Sequence, residues 1–272
     1  MNIGINIIFI LLALLFLVII LFFKIYGKSI TNNILFQPYI ANIYEYNEIE
    51  NFIQEVIKTH DGIDIYGGLY NKFRKPNYDD TIILFSHGNG DWIGNYVNCE
   101  LMNILSKNGS IFLYDYRGYG LSTGKPSENG LYTDIYSVWN FLIDTKNINP
   151  KNIIVYGFSL GCAVSSNLVS NLAINELPKM LVLESPFTNL KNIASDKFKP
   201  IAKFAYYDFD NIKHLQKINN KIPVYVFYTK NDEIIPYTHS YELHKKTDCK
   251  LIEINGNHNN PIYNKDIIEL FS

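Results

Sequence analysis

Asn152-Ile153-Ile154-Val155-Tyr156-Gly157-Phe158-Ser159-Leu160-Gly161 changes character twice, and those changes decide the fold. Asn152 to Tyr156 is a short apolar run of the kind found in a strand covered on both faces, while Ser159 to Leu172 has helical spacing. Gly157-Phe158-Ser159-Leu160-Gly161 must therefore turn the chain sharply from strand into helix. A serine at such a turn has a strained backbone and an exposed hydroxyl, and flanking glycines leave room for the close approaches involved. The pentapeptide alone is weak, because an N-cap serine gives the same letters. Its place between strand and helix makes Ser159 a candidate nucleophile.

Outward from that turn, further apolar runs occur at Thr81 to Ser86, Ser110 to Tyr114, Met180 to Glu184, Val224 to Tyr228 and Leu251 to Ile254. Each is too short for a typical helix and rich in strand-forming side chains. Between them Tyr96 to Ser106, Ser127 to about Thr145, Ser159 to Leu172, Thr238 to Lys246 and Asp266 to Phe271 can be helical. Upstream, Phe52 to Thr59 and Ile63 to Tyr70 flank Asp61-Gly62, a hairpin dipeptide. The expectation is an α/β fold: a mostly parallel central sheet with helices on both faces, entered by an N-terminal hairpin. Residues 187–221 exceed an ordinary crossover and carry Phe198, Phe204, Tyr206, Tyr207 and Phe209. They are expected to form a small lid over the carboxyl edge, or a helical crossover with a buried aromatic face.

A serine hydroxyl is protonated at neutral pH, so catalysis needs a neutral imidazole in reach and an acid to orient it. His258, in Asn255-Gly256-Asn257-His258-Asn259, follows the last strand and is the candidate base. Asp232 lies four residues beyond Tyr228 and is the candidate acid, preferred over Glu233 because a shorter side chain on a tight turn is more readily fixed. The oxyanion would be met by the backbone N–H of Leu160, at the helix start, and of Asn89, in the glycine-flanked His87-Gly88-Asn89-Gly90 loop. His87 itself reads as a structural brace, and His60, His214, His239 and His244 as solvated surface residues.

These pieces resemble the α/β-hydrolase superfamily over about residues 51–272, and within it the membrane-associated branches called α/β-hydrolase domain-containing proteins 13 and 17. The resemblance rests on SHGNG from Ser86, YDYRGYGLSTGKPSE from Tyr114, LYTDI from Leu131, GFSLG from Gly157, ESPF from Glu184, NDEIIP from Asn231 and GNHN from Gly256. It implies Ser159 as nucleophile, Asp232 as acid, His258 as base, and Asn89 and Leu160 in the oxyanion hole. Asp115 and Arg117 match a motif too, but a charge pair stabilising the turn after a strand accounts for them. The depalmitoylating branch usually has a cysteine-rich N-terminus, whereas no cysteine precedes Cys99 here, so the likeness leans toward the transmembrane-anchored branch.

Every residue from Ile7 to Phe23 is apolar, and about 20 such residues span a hydrocarbon core of roughly 30 Å. Residues 4–23 are therefore expected to form a transmembrane anchor in the lipid bilayer, with 24–50 a connector, including a short docking piece at Ile34-Leu35-Phe36, and 51–272 the hydrolase domain. A cleaved signal peptide fits less well, since no basic residue precedes the run and no small-residue cleavage site follows it; a buried core helix is the third reading. Lys24 and Lys28 follow the run, which places the catalytic domain on the cytosolic side. The sequon Asn108-Gly109-Ser110 would be usable only on the other side.

The 272 residues, 47% of them hydrophobic, suffice to bury a large core, so disorder is excluded. With 24 basic against 26 acidic groups, the net charge of −2 offers no footprint for nucleic acid. The three dispersed cysteines suggest neither a disulfide framework nor a metal site. The expected protein is a single-pass membrane serine hydrolase acting on an ester or thioester through an acyl-enzyme, with no metal or organic cofactor. The acyl donor is expected to be lipid-like. The contrasting reading is a non-catalytic binding or scaffolding module on the same fold. A dehalogenase would want Asp where Ser159 stands.

Overall fold

The computed structural model describes residues 18, 21–22, 26–198 and 206–271. The apolar run expected to cross a membrane, 4–23, lies outside them apart from Val18, Leu21 and Phe22. Among the described residues no helix is long and apolar enough to cross a membrane.

Eight strands form one sheet: β1 Phe52–Lys58, β2 Asp64–Tyr70, β3 Ile82–Ser86, β4 Ser110–Tyr114, β5 Ile153–Phe158, β6 Met180–Glu184, β7 Val224–Tyr228 and β8 Lys250–Glu253. Their order is β1-β2-β4-β3-β5-β6-β7-β8. β1 and β2 form the antiparallel hairpin and β2 runs antiparallel to β4, whereas β4 through β8 are mutually parallel. Every residue of β3, β4 and β6 is buried, as expected of strands covered on both faces. This is the α/β-hydrolase fold.

β3 has β4 on one side and β5 on the other, so the connections leaving the carboxyl ends of β3 and β5 diverge. Open α/β sheets bind ligands in the crevice made where strand order switches in this way. The loops that follow are the His87–Gly90 stretch and the Ser159 turn. Helix Leu160–Asn171 then runs back beneath the sheet with all but two of its residues buried, packed against helices Glu128–Asn140 and Asn211–Ile218.

Two readings are corrected. The helix expected over Tyr96 to Ser106 is two pieces, Ile93–Tyr96 and Glu100–Asn108, and Asp115 Oδ1 accepts the Ile93 N–H at 2.9 Å, a distant partner that sets the early start. Asp115 and Arg117 do not pair: Asp115 is bonded by Tyr46, while Arg117 grips Asp134 and Asp61, each at 2.8 Å. Tyr207 and Phe209 are buried against Phe36, their rings filling the seam between the connector and the domain, while residues 199–205 of the expected lid or crossover lie outside the described residues.

Candidate active site

Ser159 sits between β5 and its helix at φ 53°, ψ −114°, a conformation L residues rarely hold. Its N–H donates to the Glu184 carbonyl at 2.9 Å, which ties the turn to the neighbouring β6. A Cβ on Gly157 would strike the Gly161 carbonyl, and one on Gly161 would strike the Ser86 carbonyl. Glycine is therefore required at both positions for the turn to close and for the helix start to lie against the end of β3.

His258 is presented by a tight two-stranded hairpin in which Asn255–Gly256 pairs with Pro261–Ile262. Thr229 Oγ1 donates to the Gly256 carbonyl at 2.8 Å, joining that hairpin to the loop after β7. On the β7 loop, Asp232 Oδ1 accepts the N–H groups of Ile234 at 2.9 Å and Ile235 at 2.7 Å, which fixes its carboxylate.

These supports bring the three side chains together. His258 Nε2 lies 3.2 Å from Ser159 Oγ, and His258 Nδ1 lies 2.8 Å from Asp232 Oδ2. The carboxylate partner makes Nδ1 the donor, leaving Nε2 free to accept the serine proton. Burial pushes the Asp232 carboxyl up, but the hydrogen bond and charge of His258 and the Ile235 N–H outweigh it and hold the group below the usual carboxylate range. The rival acid Glu233 instead accepts the backbone N–H of His258 at 3.3 Å.

Register places the two expected oxyanion donors on the same rim, since Ser86 pairs with Gly157 and Asn89 and Leu160 each follow three residues later. Leu160 opens its helix, so its N–H has no intrahelical acceptor. His87 is fully buried with Nδ1 2.7 Å from the Gly88 carbonyl, so Nδ1 carries the proton and the ring braces the loop. Of the histidines expected at the surface, His60 and His244 are exposed. His239 is buried between Thr188 and Asp196, and His214 is half-buried beside Asn167 and Ser170.

A family model described as serine aminopeptidase, S33, matches residues 78–215, half of the chain. The chain belongs to this α/β-hydrolase family. An uncharacterised protein of Acanthamoeba polyphaga mimivirus is similar at 30% identity over 85% of this chain and 86% of its own. Human α/β-hydrolase domain-containing protein 17B is similar at 34% identity over 63% of this chain, a match spanning 56% of its length. In fold, the chain is similar to an α/β hydrolase from Vibrio vulnificus, with a TM-score of 0.71, 22% identity and coverage of 86% of this chain and 87% of the other. The family and these relatives make the chain an α/β hydrolase of the serine-hydrolase type.

The hydrolase has a second buried layer that the sequence motifs did not disclose. Glu184, at the end of β6, accepts hydrogen bonds from Tyr263 at 2.9 Å and from Tyr156. Burial pushes its carboxyl up to about 7, against the lowering effect of the two tyrosine hydroxyls and of the nearby His258. Its presence in ESPF was the available signal, but Tyr263 lies 79 residues away in the chain. Glu184 also lines a cleft of about 500 Å³ beside His258, walled by Tyr96, Phe158, Ile262 and Tyr263. Such a volume suits a small-molecule ligand or one segment of a larger one.

Proposed function

We propose that this chain is a membrane-anchored serine hydrolase that cleaves a carboxylic ester or thioester through an acyl-enzyme on Ser159. The reading is carried by one observation, the Ser159–His258–Asp232 hydrogen-bonded series with contacts of 3.2 and 2.8 Å at the crevice where the strand order switches. Ser159 Oγ attacks the acyl carbon while its proton passes to His258 Nε2, and the imidazolium is stabilised by Asp232. The N–H groups of Asn89 and Leu160 receive the oxyanion, a contribution of about 3 kcal/mol per donor in comparable enzymes. Collapse expels the alcohol or thiol with the proton from His258, and water repeats the sequence on the acyl-enzyme. His258 also forms a wall of the 500 Å³ cleft, and in this reading the group that receives its proton lies there.

Residues 4–23 supply the membrane attachment in this reading, and a lipid-like acyl donor follows from it. A second reading, hydrolysis of amides or esters bearing a free ammonium group, is favoured by the cleft's charge. Asp91 and Glu100 line it, and no Lys or Arg does among the described residues.

Labelling by a fluorophosphonate probe tests the reaction class. Wild-type protein is expected to be labelled and to hydrolyse p-nitrophenyl esters, whereas Ser159→Ala loses both, with a rate fall of about 10⁴-fold or more. Unlabelled wild-type protein would return the chain to the scaffold reading. Faster turnover of aminoacyl p-nitroanilides than of acyl esters would favour the aminopeptidase reading.

A further inference from the structure

The segment between the apolar N-terminus and the sheet touches the loop that carries Asn89. Residues 26–35 are helical, and Gln37 closes the end of that helix by donating from Nε2 to the Asn33 carbonyl at 3.0 Å. Phe36, 5% exposed, then plugs the segment into the domain core against Tyr207 and Phe209, at ring separations of 5.7 and 6.3 Å. Two hydrogen bonds hold the same seam: Tyr207 donates to Asn32 Oδ1 at 2.6 Å, and the Tyr206 N–H donates to Thr31 Oγ1 at 3.2 Å.

The Asn89 carboxamide is held from both ends by this segment. Its Nδ2 donates to the Leu35 carbonyl, and its Oδ1 accepts the Gln37 N–H at 3.3 Å. Tyr119 also donates to Asn89 Oδ1, at 2.8 Å. The turn bearing Tyr119 is itself stitched to the segment, since the Gly120 N–H donates to the Tyr39 carbonyl at 2.8 Å and the Ala41 N–H to the Gly120 carbonyl at 3.1 Å. The exposed side chain of Asn89 is thus fixed by the connector directly and through Tyr119. Gly90, the next residue, lies at φ 79° and gives the loop little stiffness of its own.

We propose that residues 35–41 are a strap that positions the oxyanion loop, with Phe36 seating the strap and the Asn89 carboxamide transmitting its position to the Asn89 backbone N–H. This rests on the serine-hydrolase reading given above and adds a role for a segment outside the residues 78–215 matched by the family. A connector that only tethered the domain would need no hydrogen bonds to a catalytic loop. The strap continues upstream through the helical residues 26–35 toward the apolar run, so whatever holds that run acts on the oxyanion loop through a short path.

The test uses the full chain as wild type, Phe36→Ala, Asn89→Asp and the double variant. Asn89→Asp keeps the backbone N–H but replaces the Nδ2 donor by an oxygen facing the Leu35 carbonyl, and lies on an exposed loop where folding is not at stake. Active sites are counted by fluorophosphonate labelling, and kcat per counted site and KM are measured with p-nitrophenyl acetate. Each single variant is expected to lose about tenfold in kcat with KM within about twofold, less than the loss of a whole oxyanion donor. The double variant should fall no more than about threefold below the worse single one, since both act through one contact. The proposal is overturned by Asn89→Asp retaining kcat within about twofold, or by losses that multiply. If Phe36→Ala yields no folded protein, Phe36→Leu, which keeps the core filled, replaces it with a smaller loss expected in the same direction. Absence of labelling in wild type would instead count against the hydrolase reading, before any variant is compared.

Discussion

Glu184 carries a charge-neutral form into the core directly behind His258, and the sign of its effect on stability follows from its position. Its carboxyl is raised from 4.5 to about 7 by burial, opposed by Tyr156, Tyr263 and His258 and reinforced by Asp232. Between those two values the folded chain holds a proton that the unfolded chain has lost. The stabilisation is therefore complete below about pH 4.5 and disappears as pH rises through about 7, a change on the order of 3 kcal/mol. His87, lowered to about 4 by burial, acts in the opposite sense: its contribution is complete above about pH 6.5 and is lost as pH falls through about 4. Comparing urea midpoints of wild type and Glu184→Gln from pH 4.5 to 8 isolates the first term. The wild-type midpoint is expected to fall relative to the variant across that range, and a constant difference would show that another group titrates. The Ser159, Asp232 and His258 positions were legible in the sequence because each follows an apolar strand closely enough to stay at its carboxyl end. The tyrosines around Glu184 were not, because nothing local in β5 or near the C-terminus signals which distant carboxyl a buried hydroxyl meets.

At the scale of elements, continuous apolar runs made the strands readable to within two residues, and Asp61-Gly62 marked the hairpin turn. What local spacing could not supply was the partner that fastens one element to another. Arg117 is the clearest instance. Its Nε donates to Asp134 Oδ1 at 2.8 Å and its backbone N–H to Asp134 Oδ2 at 2.9 Å, while its terminal nitrogens reach Asp61 in the β1–β2 turn. One guanidinium therefore joins the hairpin, the turn after β4 and helix Glu128–Asn140. The Asp134 side chain is fully buried and that of Arg117 is 9% exposed, so removing the cation leaves a buried carboxyl with a backbone N–H donor but no counter-charge. Arg117→Ala is expected to destabilise by roughly 3 kcal/mol, seen as a lower urea midpoint at unchanged slope. Arg117→Lys should recover only part of this, because an ammonium cannot match the planar fork. The paired Arg117→Met/Asp134→Leu variant should be less destabilised than Arg117→Ala, which separates the desolvated charge from lost packing.

For the molecule as a whole, the connection between the expected span and the catalytic domain is short. Lys28 Nζ lies 5.9 Å over the Tyr206 ring and Thr31 bonds the Tyr206 backbone, so the domain grips the chain within a few residues of Phe23. Ile34, Ile40 and Tyr44 are exposed just beyond that grip. In the membrane-anchored reading proposed above, a domain held this way would have little freedom to rotate away from a bilayer, and its catalytic rim would keep a fixed height above the surface. The attachment itself is expected to rest on the apolar run, with about 3 kcal/mol lost for each leucine near its centre replaced by aspartate. The full chain is expected to float with phosphatidylcholine vesicles on a density gradient in 1 M salt. Leu12→Asp/Leu15→Asp, about 6 kcal/mol poorer at insertion, should remain at the bottom while hydrolysing p-nitrophenyl acetate in detergent within about twofold of wild type. Flotation of that variant would assign the attachment to the folded domain, and the exposed residues around Ile40 would become the surface to alter next.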